Sequence, residues 1–144
     1  MTTFLLDVNV LIALIDPVHI HHDAAHAWFE ATGKRSWATC PMTENAVLRI
    51  VGDSRYPNSP GSPAVVAEVL EEVLALQGHA FWPDDVSLFG NAEVDVTRLL
   101  SARQVTDSYL LALASAHEGS LATFDRRLIT TVVSGGSRVV HVIA

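Results

Sequence analysis

Short apolar runs alternate along the chain with longer stretches in which apolar residues recur at helical spacing. The first run, residues 4–8, shows no polar alternation, which is typical of a strand that is covered on both faces. Strands separated by helices in this way are expected to pair in parallel. The pattern predicts strands over residues 4–8, 37–40, 80–82, 121–124 and 139–143.

Helical spacing and end signals predict six helices between these strands. Gly33, Gly78 and Gly119 suit helix C-terminal ends, and Pro41 suits a first turn. Residues 52–63 contain three prolines, two glycines and three serines, so we expect a loop longer than an ordinary connection. The predicted helices cover residues 9–15, 22–31, 41–51, 64–77, 93–102 and 105–117.

The overall composition is that of one globular domain. Apolar residues make up 49% of the 144 positions, which is enough for one sizeable core, and we find no repeat or linker. We therefore expect a single domain over residues 1–144. Its expected class is α/β, with three layers (α/β/α) and a mostly parallel central sheet.

Charge and cysteine content narrow the possible functions. The net charge of −7 is opposite to the basic balance of most nucleic-acid binders, although bound divalent ions would offset part of it locally. The single cysteine, Cys40, cannot form an internal disulfide and is expected to be buried. Asp7 and Asp16 interrupt the first apolar stretch before it reaches membrane-spanning length. We expect a soluble, cytoplasmic protein with no membrane contact.

Two acidic residues lie on helix faces that should be apolar. Asp107 and Glu44 each have apolar residues three, four and seven positions further along, so both are placed on the core-facing stripe of their helices. A buried carboxylate is unfavourable unless it is paired, hydrogen-bonded or bound to a metal. Both also lie in a first helical turn, where an interaction with the helix dipole is the alternative explanation.

Two further acids follow predicted strands. Asp7 and Asp125 each come directly after an apolar run, which places them at the carboxyl ends of parallel strands. Ligands of open α/β sheets bind at that edge, and the following helices begin there too. We therefore expect Asp7, Glu44, Asp107 and Asp125 to converge on one cleft. Ligands that are all oxygen favour Mg²⁺, with Mn²⁺ as a substitute.

These residues stand in a family pattern. The pattern comprises Leu-Asp-Val-Asn-Val-Leu from Leu6, Thr-Glu at Glu44, Val-Thr-Asp at Asp107 and Thr-Phe-Asp at Asp125. In order and spacing it resembles the PIN-domain family and, more narrowly, the VapC-type toxins of bacterial type II toxin–antitoxin modules. The resemblance extends over nearly the whole chain.

The resemblance implies a magnesium-dependent endoribonuclease that cuts RNA, acts as a homodimer and is inhibited by a small cognate antitoxin. By position, Asp7, Glu44, Asp107 and Asp125 match the acidic quartet of the family. Asn9 matches a polar residue that supports this quartet from outside the ligand set.

The expected mechanism is hydrolysis by a metal-activated water. Our hypothesis is that Asp7 and Asp107 hold the principal magnesium ion, while Glu44 and Asp125 complete the site through water or a second ion. Arg49, Arg126 and Arg127 are candidates for contacts to RNA phosphates, although a helix-surface arginine is more often simply solvated.

A histidine cluster offers a competing metal site. His22 and His26 are four residues apart and would share a helix face, as zinc ligands can. No cysteine or third ligand is placed beside them, so helix capping, packing or surface exposure explains the cluster better. The cluster comprises His19, His21, His22 and His26.

Other protein classes fit less well. An aspartate-nucleophile phosphatase or dehalogenase would need an acid where Asn9 stands and a catalytic lysine, whereas Lys34 is the only lysine. A ribonuclease-H-like nuclease would place similar acids on antiparallel strands. The main alternative is a non-catalytic PIN-like module that binds a partner protein and has a structural metal site.

Overall fold

Five short strands form one parallel sheet in the computed structural model, which describes residues 1–144. The strand order is reversed between β1 and β4, and in sheets of this type the crevice at such a reversal is the usual ligand site. The order across the sheet is β3-β2-β1-β4-β5, where the strands are β1 (Phe4–Leu6), β2 (Trp37–Thr39), β3 (His79–Phe81), β4 (Ser120–Thr123) and β5 (Val140–Val142).

Helices cover both faces of this sheet. Neighbouring residues of one strand point to opposite faces, so Leu6 packs with the first four helices while Leu5 packs against the fifth. The three-layer α/β arrangement predicted from the sequence is therefore confirmed. The helices are α1 (Val8–Ile15), α2 (His22–Ala31), α3 (Pro41–Val51), α4 (Pro63–Leu74) and α5 (Gln104–Ala116).

The core contains the residues that the apolar pattern selected. Trp37 is fully buried, Trp82 is nearly so, and Cys40 is a buried free thiol, as expected for a small apolar side chain. No helix of the structure has both the length and the apolar composition that crossing a bilayer requires.

One predicted helix, over residues 93–102, is wrong. Only a single 3₁₀ turn forms there, Val96–Arg98. The Asp95 carboxylate accepts hydrogen bonds from the Thr97 backbone N–H at 3.1 Å and from the Thr97 hydroxyl at 2.6 Å, which favours a local turn over a helix. Val94 also forms an antiparallel bridge with Val133, a contact that the local sequence pattern does not predict.

Two histidines of the cluster, His22 and His26, cap the C-terminal end of α1. The His22 ring donates to the carbonyl oxygen of Ala13 at 2.7 Å, and the His26 ring donates to that of Leu14 at 2.9 Å. These carbonyls belong to the last turn of α1, where no helical N–H is available to them. The capping interpretation is confirmed for these two histidines.

The long loop over residues 52–63 is held by one buried carboxylate. Asp16, which is 6% exposed, accepts from the Asn58 amide at 2.7 Å, from the Val18 N–H at 3.0 Å and from the Tyr56 hydroxyl. Burial alone would raise the pKa of Asp16, but the hydrogen bonds from Tyr56, Asn58 and Val18 outweigh it, so the pKa is lowered from 3.8. The charged form of Asp16 therefore stabilises the fold.

We predict that Asp16→Asn destabilises the protein by about 1.5–3 kcal/mol at pH 7, because hydrogen bonds to a charged acceptor are lost. A lowered pKa means that this stabilisation is present above about pH 4 and disappears as the pH falls through the folded value. Urea denaturation between pH 3 and pH 7 should show the two proteins converging in acid. Glu68→Gln, an exposed change on α4, is the control. Equal stability of Asp16→Asn and wild type at pH 7 would contradict the prediction.

Candidate active site

Four acidic side chains lie at the carboxyl edge of the sheet. Asp7 directly follows β1, and Asp125 follows β4 by two residues. Glu44 lies in the first turn of α3, which begins two residues after β2 ends. Asp107 lies in the first turn of α5, whose other end leads to the start of β4. The strand directions thus bring all four to the carboxyl edge of the sheet.

Asp7 is held between two strand ends by hydrogen bonds. Its Oδ1 accepts from the Val8 N–H at 2.8 Å and so caps α1, while its Oδ2 accepts from the Thr123 hydroxyl at 2.8 Å. The same buried Thr123 oxygen accepts from the Asp125 N–H at 3.1 Å. Burial raises the pKa of Asp7, and the charge of Asp125 adds to the effect, although the two hydrogen bonds oppose it.

Asp107 is the most perturbed of the acids. Burial, followed by the negative charges of Asp7 and Asp125, raises the pKa of Asp107 to about 6, and only the Arg103 guanidinium opposes the shift. Asp7, Asp107 and Asp125 are therefore close enough to repel one another. Three of the four predicted acids form one electrostatic group.

Glu44 faces a different neighbourhood. Its Oε2 accepts from the Thr39 hydroxyl at 2.6 Å, and the oxygen of that hydroxyl accepts in turn from the His79 ring at 2.7 Å. Burial lowers the pKa of His79, while the Glu44 charge opposes this. The structure therefore places the Glu44 carboxylate at the carboxyl end of β2, beside Thr39 and His79.

The donor set fits a hard divalent cation in chemistry. The aspartates provide only oxygen ligands, and few basic groups compensate their mutual repulsion. Both the oxygen ligands and the excess negative charge favour Mg²⁺ or Mn²⁺. No three acidic, histidine or cysteine side chains are arranged as a ready-made cation site, however. Asn9 is exposed on the first turn of α1, and its side chain forms no hydrogen bond.

A pocket of about 210 Å³ opens beside the aspartates. Of the arginines suggested from the sequence, Arg127 lines this pocket, whereas Arg49 and Arg126 are exposed outside it. Arg103 also lines it and was not predicted. Its position four residues before Asp107 is the signal that would have suggested it. The lining residues are Ser101, Arg103, Gln104, Asp107, Asp125, Arg127, Leu128 and Ile129.

Comparison with known families agrees with this architecture. Residues 4–132 match the family model described as PIN domain. The chain belongs to the PIN-domain family. The matched residues include all four acids of the sheet edge and both arginines of the pocket.

Relatives of this PIN domain are proteins named ribonuclease VapC. Ribonuclease VapC44 of Mycobacterium tuberculosis is 43% identical over 134 residues, covering 93% of this chain and 94% of that protein. Ribonuclease VapC39 of the same organism is 42% identical over 133 residues, covering 92% and 96%. Ribonuclease VapC29 is 44% identical over 126 residues, covering 88% of each.

A solved structure shares the fold. VapBC2 from Rickettsia felis, bound to a DNA fragment from their promoter, aligns with a TM-score of 0.61 over 85% of this chain and 88% of that chain. The sequence identity is 13%, so the likeness concerns the fold alone.

We predict that Thr123→Val lowers the stability of this PIN domain by about 1–3 kcal/mol, because a buried acceptor of Asp7 loses its donor. The pKa of Asp7 should rise further, since the lost hydrogen bond lowered it. Urea denaturation measures the first effect, and NMR titration of the Asp7 carboxyl carbon measures the second. The exposed Thr131→Val serves as the control. An unchanged Asp7 pKa in Thr123→Val would refute the role of Thr123.

Removal of the Asp107 charge should stabilise the metal-free protein. The pKa of Asp107 is raised from 3.8 to about 6, so folding is disfavoured increasingly as the pH rises from about 4 through 6. We expect Asp107→Asn to gain about 1 kcal/mol at pH 8 in chelator, since solvent screens this partly exposed group. The gain should vanish below pH 4, as measured by denaturation against the exposed control Glu72→Gln. A variant less stable than wild type at pH 8 would show that the charge of Asp107 does not destabilise the folded protein.

Proposed function

We propose that this PIN domain is a magnesium-dependent endoribonuclease and the toxin component of a type II toxin–antitoxin pair. The observation that carries the proposal is the group of mutually repelling aspartates, with the pKa of Asp107 raised to about 6, beside an arginine-lined pocket. Perturbed acids in a cleft are typical of catalytic sites. The names of the VapC relatives supply the substrate class, RNA.

In this proposal Asp7 and Asp107 would hold the principal magnesium ion, and Glu44 and Asp125 would complete the site through water or a second ion. When bound, the ion supplies an activated water and positive charge for the phosphate oxygens. Mn²⁺ suits the same ligands.

The chain's own residues then have separate tasks. Thr123 fixes one oxygen of Asp7 and the backbone of Asp125, so both acids keep their places at the strand ends. Thr39 orients Glu44. Arg127 lines the pocket with Asp107 and Asp125, where its guanidinium can bind a phosphate of the RNA.

The proposed partners are a small cognate antitoxin and a second copy of the chain. The family resemblance and the Rickettsia felis structure of VapBC2 bound to promoter DNA support the antitoxin. The homodimer rests on the family resemblance, and light scattering of the purified protein tests it.

One observation favours a second candidate function. Glu44 is turned to Thr39 and His79, and the acids are not arranged as a ready-made cation site. A non-catalytic module that binds a partner protein would tolerate this arrangement.

The test is cleavage of total cellular RNA by purified protein with Mg²⁺ and with chelator. We expect cleavage only with the metal, and a loss of at least about 100-fold in Asp107→Asn, because a group that stabilises the reacting centre is removed. Glu72→Gln, purified identically, excludes a contaminating nuclease. Equal results for wild type and Asp107→Asn would favour the binding module instead.

A further inference from the structure

Two arginines face the same pocket without a partner. Arg103 immediately precedes α5, and Arg127 follows Asp125 by two residues. Both line the pocket, and neither forms an ion pair, whereas Arg55 and Arg98 are each paired with an aspartate. Arg103 nevertheless lies close enough to Asp107 to act on its pKa. Two arginines without an ion-pair partner therefore line the pocket beside the candidate catalytic acids.

The segment that leads to Arg103 is held by hydrogen bonds to one buried side-chain amide. Gln104, which is 6% exposed, accepts at Oε1 from the backbone N–H of Leu100 at 2.8 Å and of Ser101 at 2.9 Å. Its Nε2 donates to the carbonyl oxygen of Arg98 at 3.2 Å. Ser-x-x-Gln is the order of a capping box, in which the glutamine side chain accepts from the backbone N–H of the serine.

These contacts reach further than a helix cap requires. Leu100, Ser101 and Arg98 belong to a segment without regular structure beyond the short turn Val96–Arg98, and Gln104 joins all three residues. The same segment continues into Arg103 and forms one side of the pocket through Ser101. The position of the Arg103 backbone thus depends on the Gln104 side chain.

We propose that Arg103 and Arg127 together bind one RNA backbone phosphate next to the scissile one, and that Gln104 is the positioning residue for this subsite. The inference rests on the proposed function, because it presumes an RNA substrate at the aspartates. A planar guanidinium binds phosphate oxygens in pairs, which suits two arginines that converge on one anion.

The location favours a flanking phosphate over the scissile one. The buried Asp7 does not line the pocket, whereas Asp107 and Asp125, whose charges interact with that of Asp7, do. The scissile phosphate belongs between Asp7 and Asp107, where the ion would be held. The pocket lining also includes Ser101, Leu128 and Ile129, so the pocket extends beyond the aspartates, and Arg103 and Arg127 supply positive charge within it.

The first experiment measures affinity for a short single-stranded RNA in chelator, so that binding is separated from cleavage. Arg103→Gln and Arg127→Gln should each weaken binding about tenfold, the effect of a lost charge-assisted hydrogen bond. If both arginines hold one phosphate, the double variant should lose much less than the product of the two losses. In the double variant, the slope of log affinity against log salt concentration should become shallower by roughly 0.7, the value for one phosphate contact on a single strand.

Arg35→Gln is the matched control. Arg35 is exposed and unpaired and precedes β2, so it lies at the amino edge of the sheet, opposite the site. The substitution removes the same charge from the protein as Arg103→Gln does, but the RNA affinity should change by less than about twofold. An equal loss in Arg35→Gln and Arg103→Gln would mean that net charge alone matters, which overturns the subsite.

Cleavage with Mg²⁺ supplies the second readout. Arg103→Gln should raise KM about tenfold and affect kcat less than KM, since a flanking contact contributes mainly to binding. Active wild type with an unchanged Arg103→Gln would overturn the subsite and leave the proposed function intact. Wild type that neither binds nor cleaves RNA would overturn both.

The positioning role of Gln104 is tested by coupling. Gln104→Met should lower the melting temperature in every background and weaken RNA binding several-fold in wild type. In the Arg103→Gln background it should have almost no further effect on affinity, because the group that it positions is gone. The same loss of affinity in both backgrounds, or no loss in either, would overturn the positioning role and leave only a structural cap.

Discussion

The burial of Asp7 at the end of the central strand sets the condition that the rest of the site must meet. A carboxylate in that position is tolerated only if hydrogen bonds or opposite charge compensate it. The Val8 N–H and the Thr123 hydroxyl provide the hydrogen bonds, but Asp125 and Asp107 add negative charge instead of opposing it. The fold thus has an excess of negative charge at this edge of the sheet, and a bound cation would neutralise part of it.

The packing of the domain keeps these negatively charged side chains close together. Helices on both faces bury strand residues such as Leu5, Leu6 and Trp37 completely, so the strand ends cannot spread apart to separate the acids. Parallel pairing then aligns the carboxyl ends of β1 and β4 side by side. The folded structure therefore keeps these acids near one another despite their repulsion, and such perturbed groups are typical of functional sites.

Two buried polar side chains organise the segments that have no regular structure. Asp16 holds the loop over residues 52–63 through Tyr56 and Asn58, and Gln104 holds the segment before α5 through backbone groups. Each satisfies several polar groups that would otherwise be unpaired, so one side chain orders many residues. The first lies outside the pocket that Asp107 and Asp125 line, whereas the second shapes the pocket itself.

The sequence by itself determined the strands, most helices and the edge at which the acids meet, because apolar periodicity and strand direction are properties of local segments and their order. The family motif, read from residues such as Asp7 and Asp107, added the expected chemistry. Only the tertiary structure decided that Glu44 is turned to Thr39 and His79, that residues 93–102 form no helix, and that Arg103 and Gln104 shape the pocket. These features depend on contacts such as Val94 with Val133 and Thr39 with His79, which join residues far apart in the chain and leave no periodic trace in it.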